Sequence, residues 1–504
     1  MIARRARNLV LAARPARVCF AAVALVMAGC AVGPDFKKPA APDVSRYTAT
    51  PLGTTEATPG VAGGEAQRFV MGGEVSREWW TLFHSPALNA LIDESLKNNA
   101  DLKAAQAALS VAHENVLAQR GAFYPNLSAE FSATRQSQSG TLSPTPNNNA
   151  YLYNLFTPQL NVSYVPDVFG LNRRTMESLK AQEDAVRFQM IAAHITLSSN
   201  VVVAAVQEAS LQAQVDATQQ LIDINTNMVK ILQRQADKGY ASGLDLAAQK
   251  SQLAQTAATL PPLRKQLAQQ RDALAVLVGR FPSNAPSGTI DLAQLSLPQD
   301  LPVSLPSALV EQRPDVLQAQ ANMHAASAQI GIATANRLPN ITLSANAGST
   351  ALAMNQLFHS GTGFWGIGAD ITAPLFQGGT LLHQERAAKA AYVEAAQQYR
   401  STVLTAFQNV ADTLVALDQD AAALKAASAA NDAAKVTLDL SKRQWKDGYA
   451  SYLSWLSAEQ AYQQARINLI VAQANRFADT AALFQALGGG WWHGSALNQD
   501  HDEH

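Results

Sequence analysis

Side chains that could perform catalysis are scattered along the chain and form no recognisable constellation. The nine histidines include no His-Glu-x-x-His pair, and no Gly-x-x-x-x-Gly-Lys phosphate loop occurs. Residues 361–366 match Gly-x-Gly-x-x-Gly, but they lead into a strand-like segment and lack the helix that a dinucleotide fold requires. Four side chains of the C-terminal tail could bind a metal ion, although a solvated disordered terminus explains them better: His493, His501, Asp502 and His504. We therefore predict that the protein is not an enzyme and carries no metal or catalytic cofactor.

Both cysteines, Cys19 and Cys30, lie near the N-terminus, so the body of the chain can build neither a disulfide framework nor a Cys-based metal site. Five arginines precede an apolar stretch, residues 18–28, that is too short to span a bilayer and is typical of a secretory signal. The stretch leads through Gly29 into Cys30, and small residues before a cysteine resemble the lipobox of bacterial lipoproteins.

This resemblance implies cleavage after residue 29 and attachment of diacylglycerol and an N-palmitoyl group to Cys30, which would anchor the chain in lipid. Ala31 is not the Asp that retains such lipoproteins in the inner membrane, so the outer membrane is the expected destination. An ordinary signal peptide with an incidental cysteine is the alternative.

The charge balance and the hydropathy pattern exclude two classes of protein. Charged residues make up 15% of the chain and the net charge is -1, which argues against a nucleic-acid binder because counterion release needs a basic surface. No segment after the signal has eighteen uninterrupted apolar residues, so we predict no hydrophobic transmembrane helix in the mature chain. Any membrane crossing must then be made of strands.

The sequence is internally duplicated. Residues 125–127 recur at 339–341, displaced by 214 positions, and Gly-Tyr-Ala-Ser at 239–242 recurs at 448–451, displaced by 209. The length change of five residues falls between residue 127 and Gly170, a segment that should contain a surface loop. We expect a signal peptide at 1–29, a lipidated linker at 30–84, repeat 1 at 85–285, an equatorial linker at 286–306, repeat 2 at 307–488 and a disordered tail at 489–504.

Each repeat is predicted to contain one β-hairpin, at 126–165 and 340–373, because apolar and polar residues alternate there. A half-buried sheet in a soluble domain would alternate in the same way. The export signal and the aromatic residues near the strand ends favour membrane strands. Four strands cannot close a barrel, and open edges cannot face lipid, so other copies of the chain must complete the sheet. Three copies would give twelve strands around an aqueous lumen.

The predicted helices are too long for a globular domain. Residues 171–238 contain no proline and would form a helix of about 100 Å, while 86–124 and 244–278 would form helices of roughly half that length. Repeat 2 offers the same elements at 381–447 and 453–487. Pro261 and Pro262 should kink the shorter helix of repeat 1. The sequence thus predicts strands joined to a sheath of long helices.

Four groups of motifs occur in order along the mature chain: residues 30–36 followed by Pro39, Trp79 to Phe83, Arg313-Pro314-Asp315, and the two Gly-Tyr-Ala-Ser turns. Together they resemble the outer-membrane efflux lipoproteins of the TolC-like superfamily, NodT group. The resemblance implies a mainly α fold with a four-stranded β contribution, in which duplicated protomers form a homotrimer with a twelve-stranded β-barrel and a long α-helical periplasmic tunnel. It also implies contact with outer-membrane lipid, and two protein partners: a periplasmic adaptor (membrane fusion) protein and an inner-membrane RND-type transporter.

By the same resemblance, the two turns would be periplasmic tips that dock the adaptor: Gly239, Tyr240, Ala241, Ser242, Gly448, Tyr449, Ala450 and Ser451. The tip glycines are also expected as ordinary helix C-caps. Relatives often place an Asp nine positions after the second tip glycine, where this chain has Ser457. We therefore predict a closed end formed by a ring of Leu453, with Asp245 or Glu459 as substitutes for the missing charge.

The most consistent function is a passive outer-membrane exit duct for small toxic compounds or drugs, which an inner-membrane pump delivers through an adaptor. A type I protein-secretion duct is one alternative, although such ducts usually lack a lipobox. A periplasmic coiled-coil scaffold with a small soluble β-domain is another. The sequence does not identify the exported compound.

Overall fold

The structure is a computed structural model that describes residues 31–51, 53–137, 152–286 and 290–493. The predicted signal peptide, Cys30, and the histidines at 501 and 504 lie outside the described residues. So does most of the connection between the two strands of the first hairpin, residues 138–151.

The described chain is mostly helical, with two small sheets. The helices are α1 (Pro86–Asn98), α2 (Ala100–Arg120), α3 (Leu171–Asp237), α4 (Gly243–Leu277), α5 (Pro306–Gln312), α6 (Pro314–Ala335), α7 (Thr380–Lys446) and α8 (Tyr452–Ala486). The strands are β1 (Arg68–Met71), β2 (Asn126–Ser137), β3 (Leu152–Tyr164), β4 (Asp300–Val303), β5 (Asn340–Ser349) and β6 (Gly363–Thr372).

The long helices repeat with equal lengths. Both α3 and α7 have 67 residues, and both α4 and α8 have 35. α4 continues through Pro261 and Pro262 without a break, although neither proline can donate an amide hydrogen to the preceding turn. The Thr259 hydroxyl there donates to the Thr256 carbonyl over 2.8 Å. Duplication at the level of sequence therefore reappears as duplication of whole elements.

The first predicted helix, 86–124, is wrong in one respect, because it is broken at Asn99. This residue has an extended ψ of 130°, and its side-chain oxygen accepts from the Leu102 amide over 3.0 Å. The Asn99 amide group donates to the Leu277 carbonyl over 3.1 Å. Asn99 therefore ends α1, caps the start of α2 and satisfies a carbonyl at the end of α4.

The larger sheet is antiparallel throughout, in the order β2-β3-β5-β6. The strands of the first hairpin have 12 and 13 residues, whereas those of the second have 10 each. The length difference between the repeats thus lies mainly in the strands. No other described strand pairs with the outer edges of β2 and β6.

The described chain divides into two compact units. One contains Leu109–Ala185 and Ala319–Tyr399 together with the N-terminal segment up to Lys38, and it holds the four-stranded sheet. The other contains Pro39–Ala108, Val186–Gln318 and the chain from Arg400 onward. The second unit includes both helical turns, at 239–242 and 448–451.

The linker predicted at 30–84 packs against later parts of the chain around Gln67 and β1. Gln67 is fully buried and donates to the Pro298 carbonyl over 3.2 Å. β1 pairs in parallel with β4, which lies in the predicted equatorial linker. Tertiary hydrogen bonds can order such a segment even though its sequence has no periodic pattern.

The first residues of the tail that was predicted to be disordered, 489–493, are ordered in the structure. Residues 491–493 form a short 3-10 helix, and the Trp491 indole nitrogen donates to the Gln312 carbonyl over 2.7 Å. Gly489 and Gly490, both with positive φ, are buried. These glycines permit close packing of the backbone.

One described helix, α3, contains an 18-residue stretch that is long and apolar enough to cross a membrane by composition. Of this stretch, 61% is buried within the structure. That degree of burial is typical of a core helix, and Ile191, Val201 and Val202 have no exposed surface. The hydropathy of α3 is therefore explained by packing.

Candidate functional site

The two Gly-Tyr-Ala-Ser segments form the same backbone turn. In the first, Gly239 has a φ of 76°, its amide donates to Ala236, and the Tyr240 amide donates to Gln235 over 2.8 Å. These two hydrogen bonds form the Schellman motif, which ends a helix at a glycine. Ser242 then caps α4, accepting from the Asp245 amide over 3.0 Å.

The second turn repeats each contact. Gly448 has a φ of 80°, and the Tyr449 amide donates to Gln444 over 2.8 Å. Ser451 accepts from the Ser454 amide over 3.2 Å. Glycine therefore stops one helix and serine starts the next, as the sequence predicted for the tip glycines. The two tyrosines between them, Tyr240 and Tyr449, are 82% and 87% exposed.

An aromatic cluster lies next to the second turn. The rings of Trp445, Tyr452 and Trp455 lie within 6 Å of one another, and the centroids of the two tryptophans are 4.7 Å apart. The Tyr452 hydroxyl donates to the Gln249 side chain of α4. Gln249 in turn donates to the Asn225 side chain of α3 over 2.8 Å. A buried polar chain thus joins three helices of the two hairpins.

Burial raises the pKa of the Tyr452 hydroxyl, and the nearby carboxylates of Glu459 and Asp245 raise it further. The hydroxyl therefore remains a hydrogen-bond donor at physiological pH. Sequence reasoning missed this cluster. The available signal was the concentration of Trp445, Tyr452 and Trp455 on both sides of one turn.

The predicted gate residues separate by helix face. Leu453 and Ser457, one turn apart on α8, are both exposed. Asp245 lies in the first turn of α4 and is partly buried. Glu459 is only 6% exposed, and burial raises the pKa of its carboxyl. Glu459 is therefore not on the exposed face of α8 that carries Leu453 and Ser457, which corrects its suggested role as a substitute charge.

The four-stranded sheet has one apolar and one polar face. Cross-strand neighbours share a face, and the row Leu127, Val162, Ala345 and Ile367 runs across all four strands. Ile367 is 80% exposed and Leu127 is 67% exposed. The neighbouring row on the opposite face is Ser128, Asn161, Asn346 and Gly366.

The polar face carries two carboxylates. Glu130 accepts hydrogen bonds from Gln159 over 3.0 Å and from Asn161 over 3.2 Å. Asp370 lies on the same face, opposite Thr342. An exposed apolar face backed by a polar face is the pattern of a strand that separates lipid from water.

The first described residues pack against helices of the sheet-containing unit. The Val32 amide donates to Phe169, and the side chain of Arg174 donates to the carbonyls of Val32 and Gly33 and to the Asp35 carboxylate. A Cβ on Gly33 would lie 2.4 Å from the Cα of Gly331. The Gly-Pro-Asp motif therefore has a packing function.

Two other motifs are also structural. Arg313 binds the Asp315 carboxylate through two nitrogens, at 3.0 and 2.7 Å, and donates to the Ala486 carbonyl over 2.8 Å. Trp79 is 1% exposed and stacks on Phe484 with centroids 5.1 Å apart. Within the described ranges, no group of three His, Cys, Asp or Glu side chains is arranged to hold a metal ion.

Comparison with known proteins identifies the family. The family model described as "Outer membrane efflux protein" matches residues 91–280 and 305–489. The chain is 31% identical over 484 residues to the toluene efflux pump outer membrane protein TtgF of Pseudomonas putida, covering 93% of this chain and 96% of the relative. It is 26% identical to the cation efflux system protein CusC of Escherichia coli, covering 93% and 97%.

Similarity extends to three-dimensional structure. The open-state MtrE outer membrane channel of Neisseria gonorrhoeae superposes with a TM-score of 0.76 at 26% identity, covering 92% of this chain and 98% of that one. The two matched segments overlap the predicted repeats at 85–285 and 307–488. The TolC-like fold and the family resemblance expected from the sequence are thereby confirmed. The chain belongs to the outer membrane efflux protein family and is an efflux channel protein of the outer membrane.

Proposed function

We propose that three copies of this chain form a passive exit duct, with a twelve-stranded barrel in the outer membrane and a helical tunnel in the periplasm. An inner-membrane pump of the RND type would deliver substrate through a periplasmic adaptor. The duct performs no catalysis, and energy comes from the pump. Acylation of Cys30 would anchor each copy beside its strands.

One observation carries this proposal: the sheet exposes apolar side chains on one face, and no strand among the described residues pairs with either of its outer edges. Trp365 and Ile367 on β6 are 77% and 80% exposed, and Phe131 on β2 is 56% exposed. Apolar side chains with this much exposed surface are stabilised by contact with lipid. Unpaired edge amides in lipid, however, cost several kcal/mol each. Closing the sheet with further copies removes the edges and keeps the apolar face outside.

Adaptor docking is proposed for the two helical tips. Tyr240 and Tyr449 protrude from turns whose backbone is fixed by glycine and serine caps. Exposed tyrosines on a rigid turn lose little conformational entropy on binding and are frequent in protein interfaces. The tips would also constrict the resting tunnel, with Leu453 of each copy pointing inward.

The proposed substrates are small organic toxic compounds. TtgF is named for toluene efflux and CusC for cation efflux, so relatives of this chain serve pumps with different cargo. The greater identity is to the toluene protein. A wide polar duct discriminates little, and substrate choice would therefore belong to the pump.

Gene deletion followed by sensitivity profiling tests the proposal. We expect increased sensitivity to organic solvents, dyes and antibiotics, reversed by the intact gene, and no change for metal salts. Unchanged sensitivity to every organic compound would contradict the exit-duct function. In parallel, outer-membrane fractions should yield a heat-resistant trimer in detergent, whereas a soluble monomer would favour a periplasmic scaffold.

A further inference from the structure

The two edges of the four-stranded sheet belong to β2 and β6, which occupy opposite ends of its strand order. Between them, β3 of repeat 1 pairs with β5 of repeat 2. Within the sheet, this pairing is where repeat 1 meets repeat 2. In a ring of copies, β6 of one chain would meet β2 of the following chain. β6 is the equivalent of β3 in repeat 2, and β2 is the equivalent of β5 in repeat 1, so this contact would be equivalent to the observed one.

The duplication supplies a numerical mapping between these contacts. Adding 214 to a β2 position gives its β5 equivalent, and adding 209 to a β3 position gives its β6 equivalent. The hairpins verify both displacements. Asn126 pairs with Ser163 in the first hairpin, and the mapped residues, Asn340 and Thr372, pair in the second.

We propose that β6 of one protomer pairs antiparallel with β2 of the next, with Ile371 opposite the partner subunit's Phe131. This inference rests on the proposed trimer. Its template is the observed pair between Val162 of β3 and Ala345 of β5. Val162 maps forward by 209 onto Ile371, and Ala345 maps back by 214 onto Phe131.

The neighbouring pairs follow from the same template. Asn161 opposite Asn346 maps to Asp370 opposite the partner subunit's Ser132. Leu160 opposite Ala347 maps to Ala369 opposite the partner subunit's Ala133. Polar residues therefore meet polar residues, and apolar residues meet apolar ones.

The face of the sheet on which each residue lies provides an independent check of the register, because the register was derived from sequence displacements and not from residue types. Phe131 shares a face with Leu127, and Ile371 pairs with Ile341 on that same apolar face. A slip of one residue would place Ile371 opposite the partner subunit's Glu130 or its Ser132 and would put side chains of opposite polarity on one face. Only registers that differ from the proposed one by an even number of residues keep one lipid face and one water face. The duplication selects one of these registers.

Disulfide formation between copies tests the register. The double variants Phe131→Cys with Ile371→Cys, and Ser132→Cys with Asp370→Cys, cover two consecutive cross-strand pairs. Consecutive antiparallel pairs alternate between Cα separations of about 5.5 and about 4.5 Å, and both lie within the range that a disulfide spans. A disulfide within one chain is excluded, because three strand spacings separate β2 from β6 by about 14 Å, well beyond the limit of roughly 7 Å between Cα atoms.

The matched controls keep Ile371→Cys and move its partner by two positions on the same face, to Ala129→Cys or Ala133→Cys. After mild oxidation of the assembled protein in membranes, we expect covalent trimers for at least one predicted pair, at about tenfold the level of either control. Cross-linking at a control pair in a protein that still forms trimers would overturn the register and leave the proposed duct intact. A wild-type chain that does not form trimers would overturn both.

If the variants at large or charged positions do not assemble, a third pair replaces them. The pair Ala369→Cys with Ala133→Cys exchanges only small side chains and tests the same register. Trimer mass under reducing conditions is measured first for every variant. A reduced trimer without any cross-link at all three predicted pairs would also refute the proposed register.

Discussion

Single residues in this protein act mainly by shaping the backbone. Each tip turn uses glycine to end one helix and serine to begin the next. Near the N-terminus, Gly33 allows the chain to lie directly against Gly331, where no side chain fits between the two backbones. Motifs that identify the family by sequence thus have local structural causes.

Gly33→Ala should destabilise the protein by about 1–3 kcal/mol, because the new Cβ would lie 2.4 Å from the Cα of Gly331 and the φ of 96° is unfavourable for alanine. The midpoint of thermal unfolding in detergent measures the loss. Gly53→Ala is the matched control, since a Cβ at Gly53 meets no atom within 4 Å. Equal midpoints for the two variants would show that the close glycine contact contributes no stability.

Tyr452→Phe should weaken the connection between α8 and α4 by about 1–2 kcal/mol, because the buried Gln249 side chain loses its hydroxyl donor. Chemical denaturation of the purified protein gives the stability difference. Tyr449→Phe provides the control, as that tyrosine is 87% exposed. A loss of similar size in the control would mean that the hydroxyl contact at Tyr452 is not specific.

At the scale of elements, the hairpins α3–α4 and α7–α8 have equal lengths, and each places a leucine at the same distance from its turn glycine. Leu453, five residues after Gly448, corresponds to Leu244, five residues after Gly239. Both leucines are exposed, by 50% and 71%. Substituting each leucine separately therefore shows which of the two hairpins takes part in closing the channel.

Leu453→Ala should raise the closed-state conductance of the channel in planar bilayers, because a smaller side chain widens the proposed constriction. Leu244→Ala, the equivalent change in repeat 1, should leave the conductance unchanged. If Leu453→Ala conducts like the wild type, Leu453 is not part of the gate. If both variants leak equally, closure depends on both hairpins.

The packing of α7 on α8 predicts a dependence of stability on pH. Burial, and after it the neighbouring Asp479, raise the pKa of Asp420 to about 7 against the opposing effect of Arg476. The folded state then holds a proton that the unfolded state releases near pH 4, so stability should fall as pH rises from about 4 to 7. Asp420→Asn should remove this fall.

The measurement is the unfolding midpoint of wild type and Asp420→Asn between pH 4 and 8. His194 acts in the opposite direction, because burial lowers its pKa to about 4 and acidification below about 6.5 then favours unfolding. Since His194 is present in both proteins, the difference between the two curves isolates Asp420. The exposed Asp412→Asn is the control, and parallel curves for wild type and Asp420→Asn would contradict the prediction.

Elements were predicted from the sequence where the pattern was long or repeated. The alternation of apolar and polar residues located both hairpins, because burial of one face of a strand imposes a period of two residues. The absence of proline over long stretches predicted the long helices. The break at Asn99 was not predicted, since an asparagine that caps a helix and binds a distant carbonyl is indistinguishable in sequence from an exposed one. The cluster around Tyr452 was missed for the same reason: it depends on which helices meet.

For the whole molecule, the polar face of the sheet should determine which ions pass. Glu130 and Asp370 are on that face, and in the proposed trimer each would occur three times around the lumen. Rings of carboxylates attract cations and repel anions at close range. We therefore expect the duct to prefer cations, even though the net charge of the chain is only -1.

Glu130→Gln combined with Asp370→Asn should lower the cation-to-anion permeability ratio by about twofold or more, because the lumen loses its carboxylate rings while the shape of each side chain is kept. Reversal potentials across bilayers with unequal salt on the two sides give this ratio. Gln159 and Asn161, which now donate to Glu130, can still donate to the amide oxygen of the glutamine. The assembly should therefore be preserved, and a trimer that retains the wild-type ratio would place these carboxylates away from the conducting path.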